Sequence, residues 1–302
     1  MMDYNKVYDD LRAMSSADRQ KNIPEHRREF LVQKREESKN RMRCALAVTE
    51  ETIPQDSPLR YPGSRIEGKD IEQAISYLEK LGPVTKNNWP LHLHVRRVGE
   101  FARRLGEQLK SNPSEAAAEF ADLDPRTLQV QGLFHDIGKV AGQFGYLRTE
   151  YEGDAILKRS GMKHLAVDTV RLGRRFLPLE KLKAEVKVIM YADICGGVDT
   201  KDPSRITTYE ERLRYHEASR TLKNYSEFNG LMPAFASEIH GLLELDKGDK
   251  ERYTALYKEL DAYFQSLGID REKIRQDIMH DEQSQSARPG DALQNFLNQA
   301  QS

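Results

Sequence analysis

The sequence predicts an all-α protein, and three observations favour this fold class. Apolar residues recur three or four positions apart in separate stretches, for example within 71–81, 94–105 and 186–193. Residues typical of helix ends flank these stretches, among them Asp70 and Gly82. Apolar residues make up 38% of the 302-residue chain and charged residues 31%, which is typical of a folded, charge-coated protein. We therefore expect packed helices in one large domain or two small ones.

Composition also restricts the class of function. The net charge is −1, so no overall field attracts nucleic acid or membrane. The two cysteines, Cys44 and Cys195, form no metal-binding spacing and no disulfide framework. The N-terminus is unlike a signal peptide, and no run of about 18 apolar residues predicts a membrane span. We therefore expect a cytoplasmic protein.

The N-terminal region, residues 1–69, is predicted to contain polar helices up to about residue 45 and then an irregular linker. Residues 18–43 hold nine Lys/Arg and five Asp/Glu, a local excess of +4. This excess fits either a nucleic-acid or partner surface, or a solvated helix with ion pairs between successive turns, and we favour the second. Five Pro and Gly residues mark the linker over 50–69.

Two helices follow, and the second carries a candidate functional histidine. Asp70 should cap a helix that Gly82 ends, and Pro90 suits the first turn of the next helix. In that helix, over 91–105, His94 shares an apolar stripe with Val98, Phe101 and Leu105, whereas His92 faces the Arg96 side. The stripe places His94 toward the core.

The stretch Leu-Phe-His-Asp-Ile-Gly-Lys-Val at 133–140 is the strongest functional signal. Its His135 and Asp136 follow a polar connection over 111–127, with a short Ala-rich helix, and end a helix over 128–137. Adjacent helical side chains diverge by about 100°, so a metal ion at a helix end, where Gly138 frees the backbone, is a target that both can reach. Residues 141–158 resemble a loop, whose aromatic residues could stack on a ring or simply pack as a lid.

Further candidates lie on later helices. His164 and Asp168, on a helix over 163–176, fit a second metal site, a proton-transfer pair or a surface pair. Asp193 lies on the apolar stripe of a helix over 182–194, where a buried acid needs a partner. His94, His135, Asp136 and Asp193 together supply nitrogen and oxygen ligands suited to Mn, Fe, Co, Ni, Zn or Mg. The absence of thiolates argues against a structural zinc site.

These motifs resemble those of the HD superfamily of metal-dependent phosphohydrolases. The resemblance covers about residues 88–200 and is carried by His94-Val-Arg-Arg-Val, by the specific pentapeptide His135-Asp-Ile-Gly-Lys and by Tyr-Ala-Asp193. It implies a helical HD-domain bundle that binds one or two divalent metal ions and hydrolyses phosphate esters, with a nucleotide as the favoured substrate. The resemblance places Lys139 against phosphate, with Arg97 as a weaker candidate, and we expect Lys139, His164 and Asp136 to be catalytic.

Some branches of the family fit poorly. The Gly-Tyr-Pro signature of the cyclic-dinucleotide branch and the Glu-Asp pair of alarmone hydrolases are absent. The di-iron oxygenases of this fold usually place two histidines between the central pair and the last aspartate, whereas only His164 lies there. An HD-fold nuclease and a non-catalytic regulatory module stay open as alternatives. A small-molecule phosphoester is the expected partner, without a membrane, and nucleic acid is less favoured.

The C-terminal third is predicted to add helices around this domain. Candidate helices cover 209–224, 232–245 and 252–267, and the Gln- and Ser-rich residues 281–302 are expected to form a flexible tail. The predicted division of the chain is therefore an N-terminal region of 1–69, an HD domain with flanking helices over 70–280, and the tail. The oligomeric state is left open by the sequence.

Overall fold

The computed structural model describes residues 25–84, 91–140, 146–167, 178–198, 202, 204–219 and 254–286. Across these ranges the chain is helical, with no β-strand and a single isolated antiparallel bridge between Val198 and Ile206. The all-α prediction is confirmed. None of the helices in these ranges has the length and apolar character to cross a membrane.

The helices are numbered here in chain order. They are α1 (Glu25–Thr52), α2 (Gly68–Val84), α3 (Leu91–Ser111), α4 (Pro125–Phe134), α5 (Ile137–Val140), α6 (Tyr146–Arg159), α7 (Ala184–Cys195), α8 (Tyr209–Ser219), α9 (254–266) and α10 (Arg271–Ser286). Short 3-10 turns lie at Pro58–Arg60, Glu115–Phe120, Lys163–Leu165 and Leu179–Lys181. The central elements are α3, α4 and α7, because α3 packs along both of the others.

The start of α4 shows how local sequence sets a helix boundary. Asp124 is the N-cap, and its carboxylate accepts hydrogen bonds from the backbone N–H and the hydroxyl of Thr127 at 2.8 and 2.7 Å. Pro125 follows in the first turn, where a missing N–H loses no hydrogen bond. These two residues fix where α4 begins and hence where its far end, with His135, lies.

Two apolar clusters lie on either side of the α3–α4 pair. One joins α3 to α7, α9 and α10 through residues such as Phe101, Tyr191 and Phe264. The other joins α1, α2 and the end of α4 through residues such as Tyr77 and Phe134. This second cluster also contains Ile53, Leu59 and Ile66, so it crosses the predicted boundary between residues 69 and 70.

Glycines bring the backbones of the three central helices into contact. A Cβ atom on Gly132 of α4 would lie 2.7 Å from the Cα of Gly99 on α3. A Cβ atom on Gly196, which ends α7, would lie 3.2 Å from the Cα of Val98 on α3. Both approaches need a residue without a side chain. They hold the ends of α4 and α7 against the turn of α3 that follows the candidate histidine.

Several predicted boundaries were wrong. The helix predicted to end at Gly82 continues to Val84, and Gly82 instead makes room for His92, because a Cβ there would lie 2.4 Å from His92 Nε2. Asp70 lies in the first turn of α2 and accepts a hydrogen bond from the Glu67 N–H at 2.8 Å. The helix before the His-Asp pair ends at Phe134, and Gly138 lies inside the next short helix, α5.

Two other regions differ more strongly from the prediction. Residues 146–159, predicted as loop, form helix α6, which packs against α5. The glycines and aromatic residues of 141–158 favoured a loop in the prediction, but the helix runs through Gly153 without a break. Helix α10 runs to Ser286, inside the predicted tail, and anchors through Glu282 to Arg97. Residues 1–24, Pro90, 141–145, Asp168, the helix predicted over 232–245, and 287–302 lie outside the described residues.

Candidate metal centre

Three separate helix segments deliver the candidate ligands to one place. His94 lies in the first turns of α3, His135 and Asp136 lie between α4 and α5, and Asp193 lies near the end of α7. All four are buried, with exposures of 5% or less. The interruption at 135–136 is slight, because His135 keeps helical dihedral angles (φ −58°, ψ −29°). Two adjacent side chains therefore both reach the cluster where the helix is interrupted.

The donor atoms of the four side chains face one another. Asp193 Oδ1 lies 3.2 Å from His94 Nε2 and 3.4 Å from His135 Nε2. Asp136 Oδ2 lies 3.5 Å from each of the same two nitrogens. His94, His135 and Asp193 form the tightest group, with ligand atoms all within 4.8 Å of one another. Asp136 adjoins both imidazoles without belonging to that group.

The tautomer of His135 leaves a lone pair directed into this cluster. His135 Nδ1 lies 2.6 Å from the backbone carbonyl oxygen of Gly132, so Nδ1 carries the proton and donates it there. In the neutral imidazole, Nε2 is then the nitrogen with the lone pair. Among the described residues, Nε2 of His135 and Nε2 of His94 are buried without a hydrogen-bond partner. A backbone carbonyl behind the imidazole is a common way to orient a metal-binding histidine.

A divalent cation fits this arrangement. Two buried carboxylates next to unpartnered imidazole nitrogens place lone pairs against lone pairs, which is unfavourable without a positive charge between them. Donor atoms about 2.0–2.2 Å from one ion are separated by roughly 3.0–3.5 Å at angles between a right angle and the tetrahedral angle. The observed separations of 3.2–3.5 Å match that spacing. The residues present therefore suit the divalent metal predicted from the sequence.

Lys139 lies beside the cluster but contacts a candidate ligand. Its Nζ donates to Asp136 Oδ2 at 2.6 Å, and the side chain is 31% exposed. The sequence predicts an ammonium at this position that is directed outward to phosphate. The observed contact instead places this charge at the boundary between solvent and the buried carboxylate. Its role toward phosphate stays a prediction.

Arg97, the weaker phosphate candidate, is engaged in the fold. Its side chain is 1% exposed, and it donates to both carboxylate oxygens of Glu282 and to the carbonyl of Arg205 at 3.0 Å. Since α10 and the segment before α8 supply these partners, Arg97 links the C-terminal helices to α3. These contacts give the residue a structural role that sequence spacing did not suggest.

His164 lies in a different place from the ligand cluster. It lines a cavity of about 460 Å³ together with Gln131 and Glu185. Burial lowers the pKa of His164 below its ordinary value, so this imidazole is neutral at pH 7. Its predicted partner Asp168 lies outside the described residues. The predicted roles in proton transfer or in holding a second metal ion remain untested.

Sequence reasoning did not find Gln131 as a candidate, although a signal was present. Gln131 lies one helical turn before His135 on α4, between the buried residues Val130 and Gly132. It is 7% exposed, and its side-chain oxygen has no hydrogen-bond partner among the described residues. A glutamine inside an apolar helix, four residues before the metal motif, is the signal that could have identified it.

Comparison with known proteins agrees with this geometry. The family model described as HD domain matches residues 92–197, a range that contains all four candidate ligands. No curated protein and no solved structure gives a significant match. The matched range begins in α3 and ends just after α7, so it covers the three helix segments that build the cluster. Residues 92–197 of this chain are therefore an HD domain.

Proposed function

We propose that this protein is a metal-dependent phosphohydrolase that cleaves a phosphoester, with a nucleotide as the favoured substrate. The observation that carries the proposal is the buried cluster of His94, His135, Asp136 and Asp193, in which two imidazole lone pairs and two carboxylates converge. The HD-domain match supports the same reaction class. The identity of the metal, among Mn, Mg, Fe, Co, Ni and Zn, is part of what the experiment decides.

The side chains of the cluster would hold a divalent cation and present the substrate to it. His94 Nε2, His135 Nε2 and Asp193 Oδ1 form the closest set of ligand atoms, and Asp136 Oδ2 completes it from the side. A divalent ion held there would lower the pKa of its bound water and polarise a phosphoryl oxygen. The carbonyl of Gly132 keeps the proton of His135 on Nδ1, away from the ligand atom.

The charged group beside the cluster, Lys139, would act on the phosphate of the substrate. Lys139 Nζ lies at the solvent boundary, where it offsets the charge of Asp136. In this proposal it would also attract an anionic phosphate. Negative charge on the phosphoryl oxygens is redistributed in the transition state. An ammonium that is already in position stabilises that charge, because no protein group has to move during the reaction. The apolar flanks of the motif, including Phe134 and Ile137, are buried beside the ligands.

The test is a phosphate-release screen with the full chain. Nucleoside mono-, di- and triphosphates and a simple synthetic phosphoester are each incubated with one of the six divalent metals. We expect release with at least one combination, and a loss of at least about 10²-fold in Asp193→Asn together with lower metal content. The exposed residue Asp56 provides the matched control, because Asp56→Asn should keep both quantities. Release that survives in Asp193→Asn would contradict the proposal.

A further inference from the structure

Lys139 shares one carboxylate oxygen with the candidate metal centre. Its Nζ lies 2.6 Å from Asp136 Oδ2. The same oxygen lies 3.5 Å from Nε2 of both candidate imidazoles, those of His94 and His135. Asp136 Oδ2 is therefore the acceptor of the ammonium and also the oxygen closest to the imidazole nitrogens. A cation held by these side chains would use the oxygen that Lys139 already contacts.

The backbone keeps Lys139 at this oxygen. Lys139 lies on the short helix α5, three residues after Asp136, and its backbone N–H donates to the Asp136 carbonyl oxygen at 2.8 Å. The Lys139 side chain is 31% exposed, whereas the Asp136 side chain is 2% exposed. Solvent and salt screen a charge pair less when one partner is buried. The ammonium therefore acts on the centre from its solvent side with little screening.

The charge of Lys139 opposes a bound cation in either of two arrangements. If the ammonium stays in place, a metal ion about 2.0–2.2 Å from Oδ2 lies no more than about 4.8 Å from Nζ, and the two positive charges repel each other. If the ammonium moves away, its ion pair with the buried carboxylate of Asp136 is lost. Both arrangements make metal binding weaker than the ligands alone would give.

We propose that Lys139 regulates the metal centre by opposing the divalent cation, so that its ammonium lowers the affinity for metal and keeps the ion exchangeable. Occupancy of the centre then follows the concentration of free metal. This role acts through Asp136 and needs no substrate, so it differs from contact with phosphate. The inference rests on the metal-binding part of the proposed function.

The experiment measures the affinity of the full chain for each of the six candidate divalent metals alone, by competition with a chelator of known affinity at low ionic strength. Lys139→Met removes the charge and keeps a long unbranched side chain. Its Kd should be at least about tenfold lower than that of wild type, because repulsion of this size persists even at the dielectric constant of water. The number of ions bound at saturation should not change, since all four ligands are retained.

Two further variants show whether the charge causes the change in affinity. Lys139→Arg keeps a positive charge and should bind metal about as tightly as wild type. Lys110→Met is the matched control, because Lys110 is exposed in the last turn of α3, about 24 Å along the helix from His94. That distance exceeds the screening length of about 10 Å, so its Kd should be unchanged. If Lys139→Met does not fold, Lys139→Gln takes its place.

The direction of the change decides the outcome. Tighter binding in Lys139→Met, without tighter binding in Lys139→Arg or Lys110→Met, would support the inference. An equal gain in either of these two variants would overturn it, because loss of positive charge at position 139 would not be the cause. Weaker or unchanged binding in Lys139→Met would also overturn it, since the ammonium would then position Asp136 or leave the metal unaffected.

A final comparison separates this inference from the proposed function. Failure of wild type to bind any of the six metals would overturn both. Metal binding by wild type without a gain in Lys139→Met would overturn the inference alone. A gain in Lys139→Met, with no phosphate release by wild type from any phosphoester, would support the inference and overturn the hydrolase.

Discussion

At the scale of single residues, the hydrogen bond of His135 to Gly132 sets which ring nitrogen faces the candidate metal ligands. The Gly132 carbonyl accepts from Nδ1 of His135, so Nε2 is the ring nitrogen that faces Asp193 and Asp136. Lys139 is the positive group whose contact with this cluster is shortest in the described chain, at 2.6 Å from Asp136. Its charge therefore lies at the boundary between solvent and the buried carboxylate of Asp136.

Lys139→Ala tests that charge. We expect kcat/KM to fall on the order of 10²-fold, because a preorganised cation is lost from the transition state, while metal content stays near that of wild type. The measurement pairs steady-state kinetics with metal analysis and thermal melting. If Lys139 only positions Asp136, metal content should fall together with the rate, and a normal rate would exclude a role in catalysis.

Tyr77 gives a second prediction, from its buried hydroxyl beside Thr49. Burial raises the pKa of Tyr77 to about 12, although hydrogen bonds to Thr49 and Ser160 oppose the shift. In the unfolded chain a tyrosine titrates near about 10. Between these values the unfolded state loses its proton first, so the contribution to stability is complete below pH 10 and is lost as pH rises toward 12.

Tyr77→Phe should therefore remove part of the alkaline destabilisation. Wild type should lose on the order of 2–3 kcal/mol more than the variant between pH 10 and 12, measured by denaturant titration at several pH values. At pH 7 the variant should be slightly less stable, because Thr49 loses the contact with the Tyr77 hydroxyl, 3.0 Å away. Parallel pH profiles for the two proteins would contradict the assignment.

At the scale of elements, backbone contact between α3 and α4 positions the ligands. Gly132 meets Gly99 so closely that a methyl group would lie 2.7 Å from backbone, where no flexible side chain can move aside. His94 lies about one turn from Gly99, and His135 lies three residues after Gly132. Any separation of these helices would also separate their imidazoles.

Gly132→Ala tests this contact, with Gly68→Ala as its control. We expect Gly132→Ala to lower the free energy of unfolding by about 1–3 kcal/mol and to weaken metal binding, because the helices are forced apart. Gly68 begins α2, and a Cβ atom at this position would meet nothing within 4 Å, so its alanine should be neutral or slightly stabilising. Equal effects of the two substitutions, by denaturant titration and metal analysis, would exclude the contact as a determinant of the site.

At the scale of the whole molecule, the C-terminal helices are fixed to the HD domain by buried polar contacts. Glu282 of α10 binds Arg97 of α3 at 2.7 Å. On α9, Asp261 accepts from the Tyr191 hydroxyl of α7 at 2.6 Å and pairs with Arg271. These contacts join α9 and α10 to α3 and α7, two of the three segments that carry candidate ligands, so the described C-terminal segment is part of the structure that supports the site.

Glu282→Ala tests this linkage. Removal of the carboxylate leaves the guanidinium of Arg97, 1% exposed, without its bidentate partner. The expected loss is about 2–3 kcal/mol, below the full penalty for a broken buried pair because Glu282 is itself 25% exposed. Glu272→Ala removes the more exposed pair with Arg275 and should change the stability by less than about 1 kcal/mol. Urea denaturation distinguishes the two, and equal losses would contradict the proposed linkage.

Helical periodicity predicted the fold class and the helices α3 and α7, and the His-Asp motif with two apolar stripes singled out the four residues that the structure brings together. Those features depend on local spacing, because a helix places residues three or four apart on one face. The sequence left the mutual approach of the helices undetermined. The packing of the helices brings Gly132 against Gly99, Arg97 against Glu282 and Lys139 against Asp136, and it leaves a cavity beside Gln131. Each of these depends on how separate helices cross, and neither residue spacing nor composition specifies that crossing.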